Sequence, residues 1–236
     1  MRRAGFIVAE VLALMSELVK PGITTKDLDI AAEKLIRSRG ARPLFLGYGG
    51  FPASICASVN EQVVHGIPGD RVLKAGDIIS IDVGAEKDGY CGDAARTFAV
   101  GEIDSETMRL LQVTELSLQE GLQMAVAKNR LGDISHCIQK VVENEGFSVV
   151  RDYTGHGIGK QMHEDPAIPN YGKAGRGMRL VNGMTLAIEP MVNMGTHKVI
   201  TLSDGWTVVT KDLKPSAHFE NTVAITPNGP QIMTIL

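Results

Sequence analysis

The chain has 236 residues, with 24 Lys+Arg against 27 Asp+Glu for a formal net charge of −3. A chain of this length buries about 70% of its unfolded surface and needs no disulfide framework, and it has no basic excess with which to displace the counterions of a nucleic acid. Hydrophobic residues at 44% beside charged residues at 22% exclude a disordered chain.

Two arginines followed by an apolar stretch open the chain in the manner of a signal peptide. Glu10 interrupts that stretch, and Ile7, Val8, Val11, Leu12, Met15, Leu18 and Val19 recur at helical spacing. The spacing predicts an amphipathic helix that stops near Lys20, ahead of Pro21-Gly22. No apolar run approaches the ~18 residues of a membrane span, so the expected setting is the cytoplasm with no membrane partner. Cys56, Cys91 and Cys137 form no CxxC pair and read as reduced thiols.

A second helix is expected after Thr24, which stands three residues before Asp27 in a capping arrangement. Leu28, Ala31, Ala32, Leu35 and Ile36 form its apolar stripe, and Gly40 closes it. Further on, Ile79, Ile81 and Val83 alternate with Ser80, Asp82 and Gly84, the pattern of a strand with Asp82 on its polar face. Asp88-Gly89 is a two-residue hairpin turn leading into residues 90–100. Pairing 87 with 90 sets Asp82 opposite Ala95 and Asp93 diagonally beside it on the same face. A slip of one residue would separate the two acids.

The chain then repeats itself. Asp133, Ile134, Cys137, Ile138, Val141, Val142 and Gly146 stand 106 residues after Asp27, Leu28, Ala31, Ala32, Leu35, Ile36 and Gly40. Gly183, Leu186, Ile188 and Glu189 echo Gly76, Ile79, Ile81 and Asp82 at an offset of 107. A period this long is no solenoid. It predicts an α+β fold in one domain, residues 1–236, with similar halves at about 1–103 and 104–236. Each half would place helices over antiparallel strands, about a pseudo-two-fold axis.

Asp82, Asp93, Glu189 and Glu220 are all expected on strands, with His156 in the glycine-rich run Thr154-Gly-His-Gly-Ile-Gly159. Four converging carboxylates would repel unless neutralised, and two divalent cations supply that charge. Oxygen-rich ligation with one imidazole favours Mn, Fe, Co or Zn. His65 and His163 lie in conspicuous motifs, His136 and His197 read as ordinary, and His218 carries no assignment. Lys160 is followed by Gln161, so there is no P-loop, and neither HExxH nor GxSxG occurs.

The order Asp82, Asp93, His156, Glu189, Glu220, with His65-Gly-Ile-Pro68, Gly155-His-Gly-Ile-Gly159 and His163-Glu-Asp-Pro166, resembles the type I, bacterial-like methionine aminopeptidases. The resemblance spans essentially the whole chain and implies the pitta-bread fold. It implies two divalent cations (Co, Mn, Fe, Zn or Ni), with Asp82 and Asp93 on one, His156 and Glu189 on the other, and Asp93 and Glu220 bridging. It also implies a hydroxide nucleophile between the ions, Glu189 as general base, His163 at the scissile carbonyl and His65 at the next peptide nitrogen. Tyr48, Phe51, Cys56, Met162 and Trp206 would form the methionine pocket, and Asn60 and Ser216 a monovalent cation site. The implied substrates are N-terminal Met peptides and nascent proteins with a small second residue, met by a monomer with possible ribosome association.

The chain departs from the family in three places. Asn221 replaces a common histidine, and Met162 a frequent aromatic residue. The start is about a dozen residues shorter than is usual, where part of the substrate rim is expected to be missing. An X-Pro peptidase of the same fold is the alternative enzyme, and a binding protein without catalysis the non-enzymatic one. His65-Gly-Ile-Pro68 and Trp206 weigh against the first, and the complete ligand set against the second.

Overall fold

The computed structural model describes residues 1–236. Its first helix, α1 (Arg2–Leu18), stops just before Pro21-Gly22. α2 (Thr25–Ser38) begins with a complete capping box: Asp27 N donates to Thr24 Oγ1 and Thr24 N to Asp27 Oδ2, each at 3.1 Å. The strands of this half are β1 (Arg42–Pro43), β2 (Ile55–Val59), β3 (Gln62–Val64), β4 (Ile78–Lys87) and β5 (Tyr90–Ala99). β4 pairs with β5 along its whole length on one edge and with β1 and β2 in succession on the other.

Asp88 and Gly89 have φ of 55° and 77°, as a type I′ turn requires. The register is the one that turn dictates, with Lys87 opposite Tyr90 and Asp82 opposite Ala95. Val8, Met15, Leu28 and Ile36 pack from the helices onto Ile55, Ile79 and Ile81.

The second half starts with α3 (Ser105–Gln123), capped by Asp104, and α4 (Leu131–Asn144). Its strands are β6 (Ser148–Val149), β7 (Gly155–Gly157), β8 (Glu164–Ile168), β9 (Thr185–Ile188) and β10 (Met191–Asn193). β11 (Val199–Thr201), β12 (Val208–Thr210), β13 (Ser216–His218), β14 (Asn221–Thr226) and β15 (Gly229–Ile232) complete it. The sheets run β15-β14-β9-β7-β8, β13-β10-β6 and β11-β12-β3, so β3 of the first half joins β12 of the second. Leu110, Leu118, Ile134 and Ile138 pack from the helices onto Leu186, Ile188 and Val223.

The expectation that all four acids lie on strands needs correction. Asp82 and Asp93 do, but Glu189 falls between β9 and β10, and Glu220 between β13 and β14. Both breaks are sheet crossings. β9 and β14 belong to the five-stranded sheet, whereas β10 and β13 belong to the three-stranded one. Ile188 pairs with Asn221 before the crossing and Met191 with His218 after it, so Glu189 stands opposite Glu220. Pro190 has no N–H to offer a ladder, which is one reason the pairing lapses there.

Candidate metal centre and active site

The acids arrive from two sources. The β4–β5 hairpin presents Asp82 and Asp93 on one face, as its register demands. The paired crossing presents Glu189 and Glu220. His156 comes from β7, which lies between β8 and β9. A Cβ at Gly155 would press on the Ala187 carbonyl of β9, and one at Gly157 on the Asp165 carbonyl of β8. Glycine on both sides of His156 therefore lets three strands close up around the imidazole.

The donor atoms of Asp93, His156 and Glu220 lie within 4.8 Å of one another. Glu189 Oε1 is 3.5 Å from His156 Nε2. These four and Asp82 all line one cavity of about 220 Å³.

The electrostatics of this cluster are unfavourable as it stands. Desolvation raises the Asp82 carboxyl to about 7, with the Glu189 charge adding and His218 opposing. Desolvation and then the neighbouring acids push Asp93 and Glu220 well above the carboxylate range, and desolvation does the same to Glu189. Asp82 Oδ1, Asp93 Oδ1 and Glu220 Oε1 are enclosed without a hydrogen-bond partner. An uncompensated buried oxygen is costly, and divalent cations bound here would satisfy these oxygens while offsetting the repulsion.

His156 Nδ1 donates to the Gly157 carbonyl at 2.9 Å, which leaves Nε2 as a free lone pair. Burial lowers its pKa to about 4, so the ring is neutral at neutral pH, the ligating form. Carboxylate oxygens with one imidazole suit a hard-to-borderline ion. The residues fit the metal that the sequence implied.

The other candidates surround this floor. His163 stands at the rim, with Nδ1 2.7 Å from Tyr48 Oη and its ring centroid 4.3 Å from that of His156. His65 faces Tyr153 and Trp206 edge-on at 5.6 and 6.4 Å. Its pKa falls to about 4 through desolvation, with His218 and His163 adding to the effect. Phe51, Cys56 and Met162 are buried in the wall, and Trp206 meets Phe51 edge-on at 5.2 Å. Cys56 sits directly across from Asp82 in the β2–β4 pair.

Asn60 and Ser216 lie together outside the cavity, joined by Ser216 N donating to Asn60 O at 2.9 Å. The Asn60 side chain is bonded to Asp77 and Ile78, and the Ser216 hydroxyl to Val192 and Asn193.

The sequence left His218 unassigned. It is buried on β13, lines the same cavity, and holds Nε2 3.7 Å from Glu189 Oε2 with no hydrogen bond of its own. Its position two residues before Glu220, on the same face of an extended chain, was the available signal. Tyr153, Thr154 and Met191 also line the cavity and had no signal in the sequence. His136, on α4, points to the Gly172 carbonyl, away from the cavity.

Comparison with known proteins agrees with this geometry. Residues 1–227 match the model of metallopeptidase family M24. The methionine aminopeptidase of Clostridium acetobutylicum is 60% identical over 236 residues, covering 100% of this chain and 94% of the relative. Methionine aminopeptidase 1 of Bacillus subtilis is 58% identical over 234 residues, covering 99% and 94%. The crystal structure of methionine aminopeptidase from Thermotoga maritima superposes with a TM-score of 0.99 at 48% identity, over 100% of this chain and 95% of that one. The Xaa-Pro dipeptidase from Bacillus anthracis shares the fold, with a TM-score of 0.78 at 20% identity over 99% of this chain and 59% of its own. The α+β pitta-bread architecture is therefore common to both of these structures, whereas the methionine aminopeptidases named here also share 48–60% of the sequence. With its acid cluster in that fold, the chain belongs to metallopeptidase family M24, among the methionine aminopeptidases.

Proposed function

We propose that the chain removes the N-terminal methionine from peptides and nascent proteins whose second residue is small, using two divalent cations held by Asp82, Asp93, His156, Glu189 and Glu220. One observation carries this reading: partnerless carboxylate oxygens and a neutral imidazole form the floor of a cavity whose wall is Phe51, Cys56, Met162 and Trp206. An unbranched thioether side chain suits that soft apolar wall. When bound, the cations supply a nucleophilic hydroxide near neutral pH and polarise the carbonyl.

The protein's own groups do the rest. Glu189 holds the proton taken from water at a carboxylate oxygen and delivers it to the leaving amine. His163, with Nδ1 engaged by the Tyr48 hydroxyl, has Nε2 free to donate to the scissile carbonyl oxygen. His65 orients the peptide nitrogen beyond it, and its lowered pKa keeps it neutral. The metals are drawn from Co, Mn, Fe, Zn or Ni, with a monovalent cation at Asn60 and Ser216. The enzyme is a single catalytic domain, residues 1–236, acting as a monomer in the cytoplasm on chains at the ribosome, where free initiator methionines arise. No helix is long and apolar enough to cross a membrane.

The deciding measurement compares hydrolysis of Met-Ala-Ser with that of an X-Pro dipeptide, across metals, under anaerobic and reducing conditions. Faster cleavage of Met-Ala-Ser is expected. Preference for the X-Pro dipeptide, or no cleavage and no metal uptake, would overturn the assignment.

A further inference from the structure

Asp93 and Glu220 are 127 positions apart in sequence and come from different halves, yet their donor atoms share one small cluster. Their spacing is set where β5 of the first half runs past β13 and β14 of the second. At the centre of this seam, Glu220 N donates to Ala95 O at 2.9 Å. On either side a threonine hydroxyl takes the place of ladder hydrogen bonds. Thr222 Oγ1 accepts from Asp93 N at 3.0 Å and donates to Asp93 O at 2.8 Å. Thr97 Oγ1 does the same for His218, accepting from its N and donating to its O, both at 2.9 Å.

Thr222 is itself held firmly. Its N donates to Thr234 Oγ1 at 3.2 Å and its O accepts from Met233 N at 2.8 Å. Arg96 fastens the adjoining backbone, with Nη1 donating to Glu220 O at 2.5 Å and Nη2 to Asn221 Oδ1 at 2.9 Å. The Thr222 hydroxyl thus gives its only proton to, and accepts a hydrogen bond from, the backbone of one acid, while its own backbone is two residues from the other. Because it is fully buried, water cannot substitute for these bonds when they are lost.

We propose that Thr222 is a positioning residue for the metal centre: its hydroxyl, bonded to both backbone groups of Asp93, fixes the separation between Asp93 and Glu220. The inference rests on the reading that these two acids hold divalent cations. Partners that orient ligands from outside the coordination sphere are worth about 10- to 100-fold in metal affinity, and a loosened ligand pair lowers turnover more than peptide binding.

Thr222→Val preserves shape and removes both bonds; Thr222→Ser keeps the hydroxyl. Titrating metal-free protein with Mn(II) in a calorimeter should show roughly 10- to 100-fold weaker binding for Thr222→Val and near-parent binding for Thr222→Ser. With Met-Ala-Ser as substrate, kcat should fall for Thr222→Val while KM stays within about twofold, and Thr222→Ser should restore kcat. Parent-like Mn(II) affinity and kcat in Thr222→Val, or equal impairment in Thr222→Ser, would overturn the inference. If Thr222→Val does not fold, Thr222→Ala against Thr222→Ser replaces it: weaker Mn(II) binding in Thr222→Ala alone supports the inference, and equal binding in the two overturns it. A parent protein that takes up no Mn(II) would instead overturn the metal assignment itself.

Discussion

In the first half, Asp82 and Asp93 sit in mid-strand on a hairpin whose two strands are ten residues each and whose register is unbroken. In the second, Glu189 and Glu220 sit where two paired strands leave one sheet for another, between segments of three to six residues. A turn two residues long fixes the first pair locally. The second pair is fixed only once two sheets and a seam to the other half are in place. One half therefore offers a stiff platform, and the other completes the site as a consequence of tertiary packing. A cation bound by both would join elements that share little local structure.

The largest expected effect comes from cutting that join. Glu220→Ala should reduce turnover of Met-Ala-Ser by at least about 100-fold, since losing a ligand exceeds losing a ligand's partner. Its effect on the metal-free protein should have the opposite sign. Desolvation and neighbouring acids already penalise the Glu220 carboxylate, so the variant without metal should melt at or above the parent temperature. Parent protein at 100 times the metal's Kd gains about 2.7 kcal/mol, and the variant should gain far less. Calorimetry with and without Mn(II) reads both, and unchanged activity would contradict the ligand assignment.

The equivalence of the halves can be tested away from the site. Leu28 and Ile134 occupy the same place in the repeat, on α2 and α4, and both are completely buried. Leu28→Ala and Ile134→Ala should each cost about 2–5 kcal/mol in urea unfolding, with the remaining folded protein active. A cost below about 1 kcal/mol at one position alone would mean that the two cores are not equivalent.

A pH-dependent effect arises in both halves, from His65 in the first and from His156, lowered to the same value, in the second. The folded-state pKa of His65 is about 4, against about 6.5 in an unfolded chain. Between those values the unfolded chain binds more protons, so stability falls on acidification from about 6.5 to 4 and is fully retained above 6.5. The contribution is at most about 3 kcal/mol across the window. Asparagine tolerates the positive φ of 59° at this position. His65→Asn should therefore flatten the fall measured by denaturant unfolding between pH 7 and 5, and an unchanged slope would remove His65 as one source of it.

These differences also explain what could be read from the sequence. The Asp88-Gly89 turn and the alternation around Asp82 carry the hairpin register without any knowledge of the rest of the chain. The repeat from Asp27 to Gly40 and from Asp133 to Gly146 likewise carries two helices and their buried faces. Glu189 was legible through its echo of Asp82 in the repeat and Glu220 as an acid in a β-run, but their sheet crossing was not, because a strand leaving one sheet for another keeps its alternation. His218 had its signal two residues from Glu220. The Thr222 hydroxyl had none, since a threonine in a β-run is ordinary until its partner 129 positions away is known.

The smallest effect separates the repeated helices at their starts. Thr24 and Asp27 bond reciprocally at α2, whereas at α4 only Asp133 contributes, accepting from Arg130 N at 2.7 Å. An arginine side chain has no oxygen with which to complete the box. Thr24→Ala should therefore cost about 1 kcal/mol in denaturant unfolding. Arg130→Thr should recover part of that amount at α4, less the bond its guanidinium now makes to the Gly177 carbonyl. A loss at Arg130→Thr as large as that at Thr24→Ala would mean that the Gly177 contact, rather than capping, governs the start of α4. The two helices would then share a buried face but begin for different physical reasons.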